Sequence, residues 1–377
     1  MVFLFWLVVA LIVTHYFLLP VTLFLLAKLI PKIHEPGRNQ PTVDLIIAAY
    51  NEARVIEKKL RNCGELSYPP ERIEVMVVSD GSTDETPKIV ERMGGAKSLF
   101  ESPRQGKSNA LNRAVASTEA EILLFSDANT FYRPDSVGFL MRHFSDPQVG
   151  GVSGLKKILQ KAGRASARGD QTYWSLESMI KEWQSSVGSV STADGEIFAM
   201  RRSLWRPLDP AVINDDMALT LAIIQQGKRV LYEPAAVSEE DASITLWEDF
   251  HVKARMVAGG YQFFLNLWKT EGALPTPFLI QILLHKFLRY AMPILLIALL
   301  VSNLFLLREP IYFAALLMQI TFYACAMLGA LLRAVGLSPI LFYLPLYYCV
   351  VNAAALMGLL FFLRRTALTN IWSKANR

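Results

Sequence analysis

Residues 2–27 form an almost wholly apolar run, interrupted only by Thr14, His15 and Thr22. Hydrocarbon offers the backbone no hydrogen-bond partners, so such a run can only be helical or part of a closed barrel. About 20 apolar residues suffice for a helix to cross the bilayer core. The run has no basic start and no clear small-residue cleavage site, so it reads as a retained transmembrane helix over residues 1–30 rather than a leader. Lys28, Lys32 and Arg38 follow it, which places the next domain on the cytosolic side. His15 and Pro20 mark either a kink or a polar residue tolerated at a helix interface. Three more apolar runs lie at residues 291–307, 311–332 and 339–363. Residues 245–290 mix aromatic and aliphatic residues with Lys253, Arg255, Lys269, Lys286 and Arg289, as helices lying in the membrane interface do. Three later spans would leave the C-terminus outside, yet the basic tail, residues 364–377 with Arg364, Arg365, Lys374 and Arg377, favours the inside. Either the last run, which contains Pro345, is re-entrant or interfacial, or one segment is miscounted.

Between these runs the composition changes. The chain is 53% hydrophobic overall yet keeps 19% charged residues, as expected of a polar domain joined to membrane spans. Much of the net charge of +5 sits beside the apolar runs, which points to lipid headgroups as partners rather than nucleic acid. The three cysteines, Cys63, Cys325 and Cys349, support neither a disulfide framework nor a metal site.

Residues 42–244 alternate strand and helix patterns. Residues 43–49, 74–79, 98–101 and 121–126 read as strands, each followed by a polar cluster and a helical stretch. Ser82 and Glu85 have capping-box spacing, so a helix is expected to start there. Four alternations in about 90 residues predict a doubly wound parallel sheet, with its polar clusters on one edge. Beyond residue 127 the pattern loosens. Residues 156–168 are basic (Lys156, Lys157, Lys161, Arg164, Arg168) and read as a solvated loop or one that closes on an anion. Residues 171–186 read as an amphipathic helix with Tyr173, Trp174 and Trp183, its tryptophans serving packing or membrane anchoring. Residues 195–202 and 229–233 read as strands, and residues 217–226 as a helix headed by Asn214-Asp215-Asp216.

Chemistry concentrates where the apolar run Ile122-Leu-Leu-Phe-Ser stops at Asp127-Ala-Asn129-Thr130. In open α/β sheets, ligands bind at the strand C-termini. The oxygens of Asp127 and Asn129 suit a hard cation, Mg²⁺ or Mn²⁺, that also takes substrate phosphates. Gly106-Lys107-Ser108 resembles the end of a P-loop, but position 101 is Glu and no Gly-rich cradle precedes it, which excludes an NTPase. No GxGxxG follows the first strand, and no HExxH or GxSxG occurs. What remains is Asn51 and Glu52, Asp80, Lys107, Asp127 and Asn129, then Asp215 and Asp216. Acids crowded on one edge repel unless a cation sits among them. A nucleoside diphosphate with a divalent ion fits: Asp80 accepts from base or ribose, Lys107 offsets the nucleotide's charge, and a metal at Asp127 bridges the diphosphate. Asp84 and Asn51 read as helix caps. Asp215 reads also as the cap of the helix that Asp216 begins.

Taken together, Tyr50-Asn51-Glu52, Ser79-Asp80-Gly-Ser-Thr-Asp84, Gly106-Lys107-Ser-Asn-Ala-Leu-Asn112 and Ser126-Asp127-Ala-Asn129 resemble the family 2 glycosyltransferases in order and spacing. That family includes the membrane-bound cellulose, chitin and hyaluronan synthase-like enzymes. The resemblance covers about residues 42–265. It implies a GT-A fold, Rossmann-like with a mostly parallel sheet, in a cytosolic domain flanked by transmembrane helices. Asp127-Ala-Asn129 is similar to the family's DxD metal motif, with Asn in place of the second acid. Asn214-Asp215-Asp216 is similar to its TED motif, whose last acid is the catalytic base; that role falls on Asp216, with Asp215 beside it. Ala49, Tyr50, Glu52, Asp80, Lys107 and Asp127 would hold the nucleotide. The QxxRW motif of the synthases is incomplete: Arg255 is present, as a contact for phosphate or acceptor, but Met256 stands where Trp is expected. The resemblance implies a membrane-embedded inverting transferase of the plasma or inner membrane. It would move a sugar from a nucleotide-diphosphate donor, UDP-linked by the family's habit, to a glycan acceptor, and could act processively. Single addition to a lipid or lipid-linked acceptor is the alternative, and a non-catalytic membrane scaffold a third reading.

Overall fold

A computed structural model describes residues 1–32, 34–159, 166–241, 245–267 and 274–364, with side chains from 166 to 174 left aside. Lys161, Arg164 and Lys269 and the basic tail beyond Arg364 lie outside the described residues, as do the side chains of Arg168, Tyr173 and Trp174.

Among the described residues, the central domain is built on one sheet of eight strands: β1 (Val43–Ala49), β2 (Ile73–Asp80), β3 (Lys97–Glu101), β4 (Ile122–Asp127), β5 (Phe131–Tyr132), β6 (Val149–Leu159), β7 (Phe198–Arg201) and β8 (Arg229–Asp241). Their spatial order is β3-β2-β1-β4-β7-β6-β8-β5. The first four run parallel, and β1 is buried on both faces as a central parallel strand should be. Leu45 and Ile47 enter one core layer and Ile46 the other. Burying a side chain of this kind contributes about 1.5–3 kcal/mol. Ala49 pairs with Ser79, Ala48 with Asp127, and Asp80 with Glu101, so the strand ends carrying the predicted polar residues fall level on one edge.

The sheet is mixed beyond β4. β7 is antiparallel to both β4 and β6, and β5 is antiparallel to β8, while β6 and β8 pair in parallel, so the sheet is mostly parallel as expected. β8 runs well past Glu233. Pro234 interrupts the strand pattern, and the ladder absorbs it as a bulge: Gly154 pairs with Glu233, but the next pair is Leu155 with Val237. Bulges are where a sheet tolerates proline. A Cβ on Gly154 would meet the Ala236 carbonyl oxygen at 2.6 Å, so glycine is required opposite the bulge. Lys156 and Lys157, expected in a loop, lie in β6 beside Ser238 and Glu239 of β8.

Among the described residues, four helices are long and apolar enough to span a membrane: Val2–Leu29, Thr276–Leu304, Pro310–Ala334 and Ile340–Leu363. At 1.5 Å per residue the shortest, of 24 residues, is roughly 36 Å long, beyond the ~30 Å hydrocarbon core. A π-helical turn at Thr14–Leu18 occupies the place expected for a kink, and His15 Nδ1 lies 2.9 Å from the carbonyl oxygen of Leu284, inside a second π turn, Leu283–Phe287. Residue 290 falls within the single helix Thr276–Leu304. Lys286 and Arg289 on that helix donate to Glu177 at 2.6 and 2.7 Å, which joins it to the helix Ser166–Val187. Phe24 meets Trp183 edge-on at 5.5 Å, so Trp183 packs the first helix onto the domain.

Candidate active site

The loops after β1 and β2 are stitched together before any ligand is considered. Asn51 sits at φ 55°, a conformation in which Asn is enriched among non-glycine residues. Its Oδ1 accepts from Thr83 N at 2.8 Å, and its own N–H donates to Ser82 Oγ at 3.0 Å. Asn51 therefore ties two loops and caps no helix. Asp84 accepts from Thr86 N at the start of the helix Thr86–Met93, and from Ala53 N across the loops. The capping box expected at Ser82 and Glu85 does not form: that helix begins one residue after Glu85, and the Ser82 hydroxyl is taken by Ser79 and Asn51. Ala49 is buried in the core, Glu52 donates its N–H to Thr86 Oγ1, and the Arg104 guanidinium lies 3.9 Å over the Tyr50 ring.

Asp80 is 4% exposed at the end of β2. Its carboxylate accepts from Gln105 N at 3.0 Å, Gly106 N at 2.7 Å and Arg113 Nη2 at 3.4 Å. It thus shapes the turn that delivers Lys107, and most of its acceptor capacity is used within the protein. Gly81, at φ 66°, passes the same turn: a Cβ there would meet Arg104 N at 2.5 Å.

The centre of the site is Lys107, the first residue of the helix Lys107–Ala116. Its ammonium lies 3.1 Å from Asp127 Oδ1 and 3.2 Å from Asp215 Oδ2, spanning the end of β4 and the start of the helix Asp215–Gln225. Burial opposes its charge, but Asp127 and Asp215 outweigh burial and hold its pKa above the ordinary lysine value. Asp215 is spent on this ion pair, and the N-cap position belongs to Asn214. Asp216, next along, accepts from Met217 N at 2.8 Å. Burial first, then the neighbouring Asp215 charge, pushes its carboxyl up to about 7. Arg255 stands in the field of Asp127, Asp215 and Asp216; burial draws its pKa down against these three acids. It is held there by the helix Leu246–Asn266, which Asn214 grips by donating from Nδ2 to the Met256 carbonyl at 2.9 Å. Gln262 on the same helix donates to the Ala211 carbonyl at 2.7 Å. Lys107, Asp127, Asp215, Asp216 and Arg255, read from four distant segments, therefore meet in one place.

Asn129 donates through Nδ2 to Glu240 Oε1 at 2.7 Å, which assigns its Oδ1 as the oxygen available for ligation. Among the described residues no group of three or more His, Cys, Asp or Glu is arranged to hold a metal. Mg²⁺ is commonly held by one or two carboxylates with substrate phosphates and water. The donor pair Asp127 and Asn129 fits a cation that arrives with a diphosphate, and Lys107 marks how strongly Asp127 attracts positive charge.

Some residues around the site were read from the sequence as solvated or not singled out at all. Lys59 lies behind β4 with no exposure; burial draws it down to about 8, against the Cys63 and Asp127 charges. Lys156 bridges Glu196 and Glu240 at 2.8 and 2.7 Å, beside Asn129. Asp194, paired with Lys181, adds its charge to the field at Asp216. A lysine in a helical or basic stretch reads as solvated, and only the tertiary fold turns these inward.

An α/β sheet whose charged side chains gather at the strand C-termini is built to bind a ligand there, and the comparisons bear on which family it resembles. The model of glycosyl transferase family 2 matches residues 44–207 of this chain. It is similar to a beta-monoglucosyldiacylglycerol synthase of Synechocystis, 30% identical over 61% of this chain and 50% of that protein. It is also similar to a poly-beta-1,6-N-acetyl-D-glucosamine synthase of Staphylococcus aureus, 27% identical over 59% of this chain and 56% of that protein. The chain spans about half the length of these curated relatives. A mannosyltransferase from Pyrobaculum calidifontis, solved with GDP-Man and Mn²⁺, superposes with a TM-score of 0.75 at 24% identity, over 96% of this chain and 99% of that one. The fold is GT-A, with apolar helices on both sides of the domain.

Proposed function

We propose that this protein is a membrane-embedded inverting glycosyltransferase that moves a sugar from a nucleotide-diphosphate donor to a glycan or lipid-linked acceptor at the cytosolic face. One observation carries the reading: Lys107 bridges Asp127 and Asp215, and Arg255 stands in the field of those two acids and of Asp216. Such a cluster of opposite charges suits a diphosphate and its counter-ion. Tyr50, Glu52, Asp80 and Lys107 hold the nucleotide, Asp80 chiefly by fixing the turn before Lys107. Mg²⁺ or Mn²⁺ at Asp127 and Asn129 would supply charge stabilisation for the departing diphosphate.

Asp216 takes the proton from the acceptor hydroxyl as that oxygen forms its bond to the anomeric carbon. The bond from that carbon to the diphosphate oxygen breaks, and its electron pair leaves with the nucleotide. One displacement inverts the centre, and no sugar becomes bound to the enzyme. A pKa near 7 suits a base working at neutral pH.

The motif set favours a UDP-sugar. The GDP-Man held by the Pyrobaculum relative makes GDP-mannose the second donor to test. Met256 in place of the synthases' Trp favours single transfer, whereas the three C-terminal apolar helices suit a chain-extending synthase. The experiment is nucleotide release by the purified full chain with UDP- and GDP-sugars, in Mg²⁺ and in Mn²⁺, followed by product sizing. A ladder of long products establishes polymerisation, and a single added sugar establishes transfer. Absence of release with every donor, with Asp216→Asn indistinguishable from wild type, leaves only a scaffold.

A further inference from the structure

Lys59 is among the largest fully buried side chains of the described residues. It sits on the helix Ile56–Gly64, behind the site rather than in it. Its ammonium donates to Ser126 Oγ at 2.8 Å and to the Thr130 carbonyl at 2.7 Å, and lies 4.3 Å over the Tyr132 ring. Ser126 Oγ and Thr130 Oγ1 in turn donate to the Asp127 carbonyl at 3.2 and 3.0 Å. One turn further along the helix, Asn62 brackets Tyr132: Tyr132 N donates to Asn62 Oδ1 and Asn62 Nδ2 donates to the Tyr132 carbonyl, both at 2.8 Å. The two side chains hold both ends of the turn that presents Asp127 and Asn129.

A buried ammonium costs several kcal/mol unless its donors are satisfied. A methionine would fill the same space without that cost, so packing alone gives no reason for a lysine here. We infer that Lys59, supported by Asn62, is a positioning residue for the diphosphate end of the site: it fixes the turn from Ser126 to Tyr132 so that the Asp127 and Asn129 oxygens face the ligand together. It touches neither substrate nor ion. The inference rests on the proposed function, because it concerns where a nucleoside diphosphate and its cation dock.

The two effects of removing the lysine have opposite signs. Its positive charge opposes a nearby cation, so an electrostatic role alone predicts tighter Mn²⁺ binding in Lys59→Met. Loss of positioning predicts weaker binding, and outer-shell supports of ion ligands typically account for about 10–100-fold in affinity or activity. The test is calorimetric binding of UDP and GDP to the full chain in detergent, titrated with Mn²⁺, with donor and acceptor KM measured alongside. Expected is a loss of about tenfold or more in Mn²⁺-dependent binding for Lys59→Met, with a raised donor KM and an unchanged acceptor KM. Ser126→Ala, which removes one of the two hydrogen-bond acceptors, should shift the same way by less, and it decides the matter if Lys59→Met does not fold. Unchanged or tighter Mn²⁺-dependent binding overturns the inference, as does an equal loss toward donor and acceptor. If wild type binds no nucleoside diphosphate, the proposed function fails; if wild type binds and Lys59→Met and Ser126→Ala match it, only this inference fails.

Discussion

The two edges of the parallel half-sheet both carry carboxylates pushed above their ordinary range, and they differ in what surrounds them. At the C-terminal edge Asp216 is pushed up to about 7, and at the N-terminal edge Asp44 is pushed up to about 6. Burial is the first cause in both cases, and a neighbouring acid is the second: Asp215 for Asp216, Glu74 for Asp44. A cleft even opens beside Asp44, lined by Glu71, Arg72, Glu74 and Lys97. At the C-terminal edge Lys107 pairs directly with two acids, and Arg255, from a helix outside the sheet, adds its charge. At the other edge Lys97 and Arg202 act on Asp44 only through their charge. A perturbed carboxyl marks a candidate site, but the convergence of several elements on one charge pattern makes one.

The sharpest way to break this comparison is Asp216→Asn. It should lower kcat by about 10²–10⁴-fold, the usual contribution of a general base, while nucleotide binding persists; near-wild-type turnover would move the base elsewhere. Next comes Lys107→Met, which strips the cation from between Asp127 and Asp215. A loss of about 3–5 kcal/mol in stability is typical when one partner of a buried pair is removed, and since Lys107 is one-third exposed the expected loss is nearer 1–2 kcal/mol. Thermal unfolding checks that figure, and donor KM should rise in the same variant.

The pH profile sharpens the contrast. A base must be ionised, so with its pKa at about 7 kcat/KM should fall tenfold per unit below that value and flatten above it. The acid limb should vanish from the residual activity of Asp216→Asn. Asp44 should affect stability alone. Its folded pKa of about 6 lies above the ordinary aspartate value of 3.8, so the folded state holds the proton more tightly. Stability therefore falls as pH rises from about 4 through 6 and stays reduced above that. Asp44→Asn should remove this slope, raise stability at pH 7 by about 1 kcal/mol and leave catalysis unchanged. A catalytic defect in Asp44→Asn would show that the far edge contributes to the site after all.

Much of the parallel half was legible in the chain. The runs before Asn51, Asp80 and Asp127 are continuous apolar stretches, and periodicity finds such strands directly. The direction of β7 was not, because strand sense depends on which neighbour the chain reaches, and residues 195–202 look alike in either orientation. Pro234 hid the second half of β8, since proline ends a strand pattern unless a bulge accommodates it. The site divides in the same way. Asp127, Lys107 and Asp215 stood out because each follows an apolar run or heads a helix. Lys59 did not, because Lys58 and Lys59 read together as the wet side of a helix, and only packing against β4 separates them.

The closing helix of the chain bears on how such a protein can be handled. Gly358 lies so near the helix carrying Arg255 that a Cβ would meet the Ala254 carbonyl oxygen at 2.4 Å and Val257 Cβ at 2.8 Å. The last apolar helix and the helix that carries Arg255 are thus in direct contact. A fragment cut after the sheet would keep Asp127, Asp215 and Asp216 and lose Arg255. On the proposed function, lipid thickness or detergent choice, by moving that segment, would become a variable of turnover as well as of solubility.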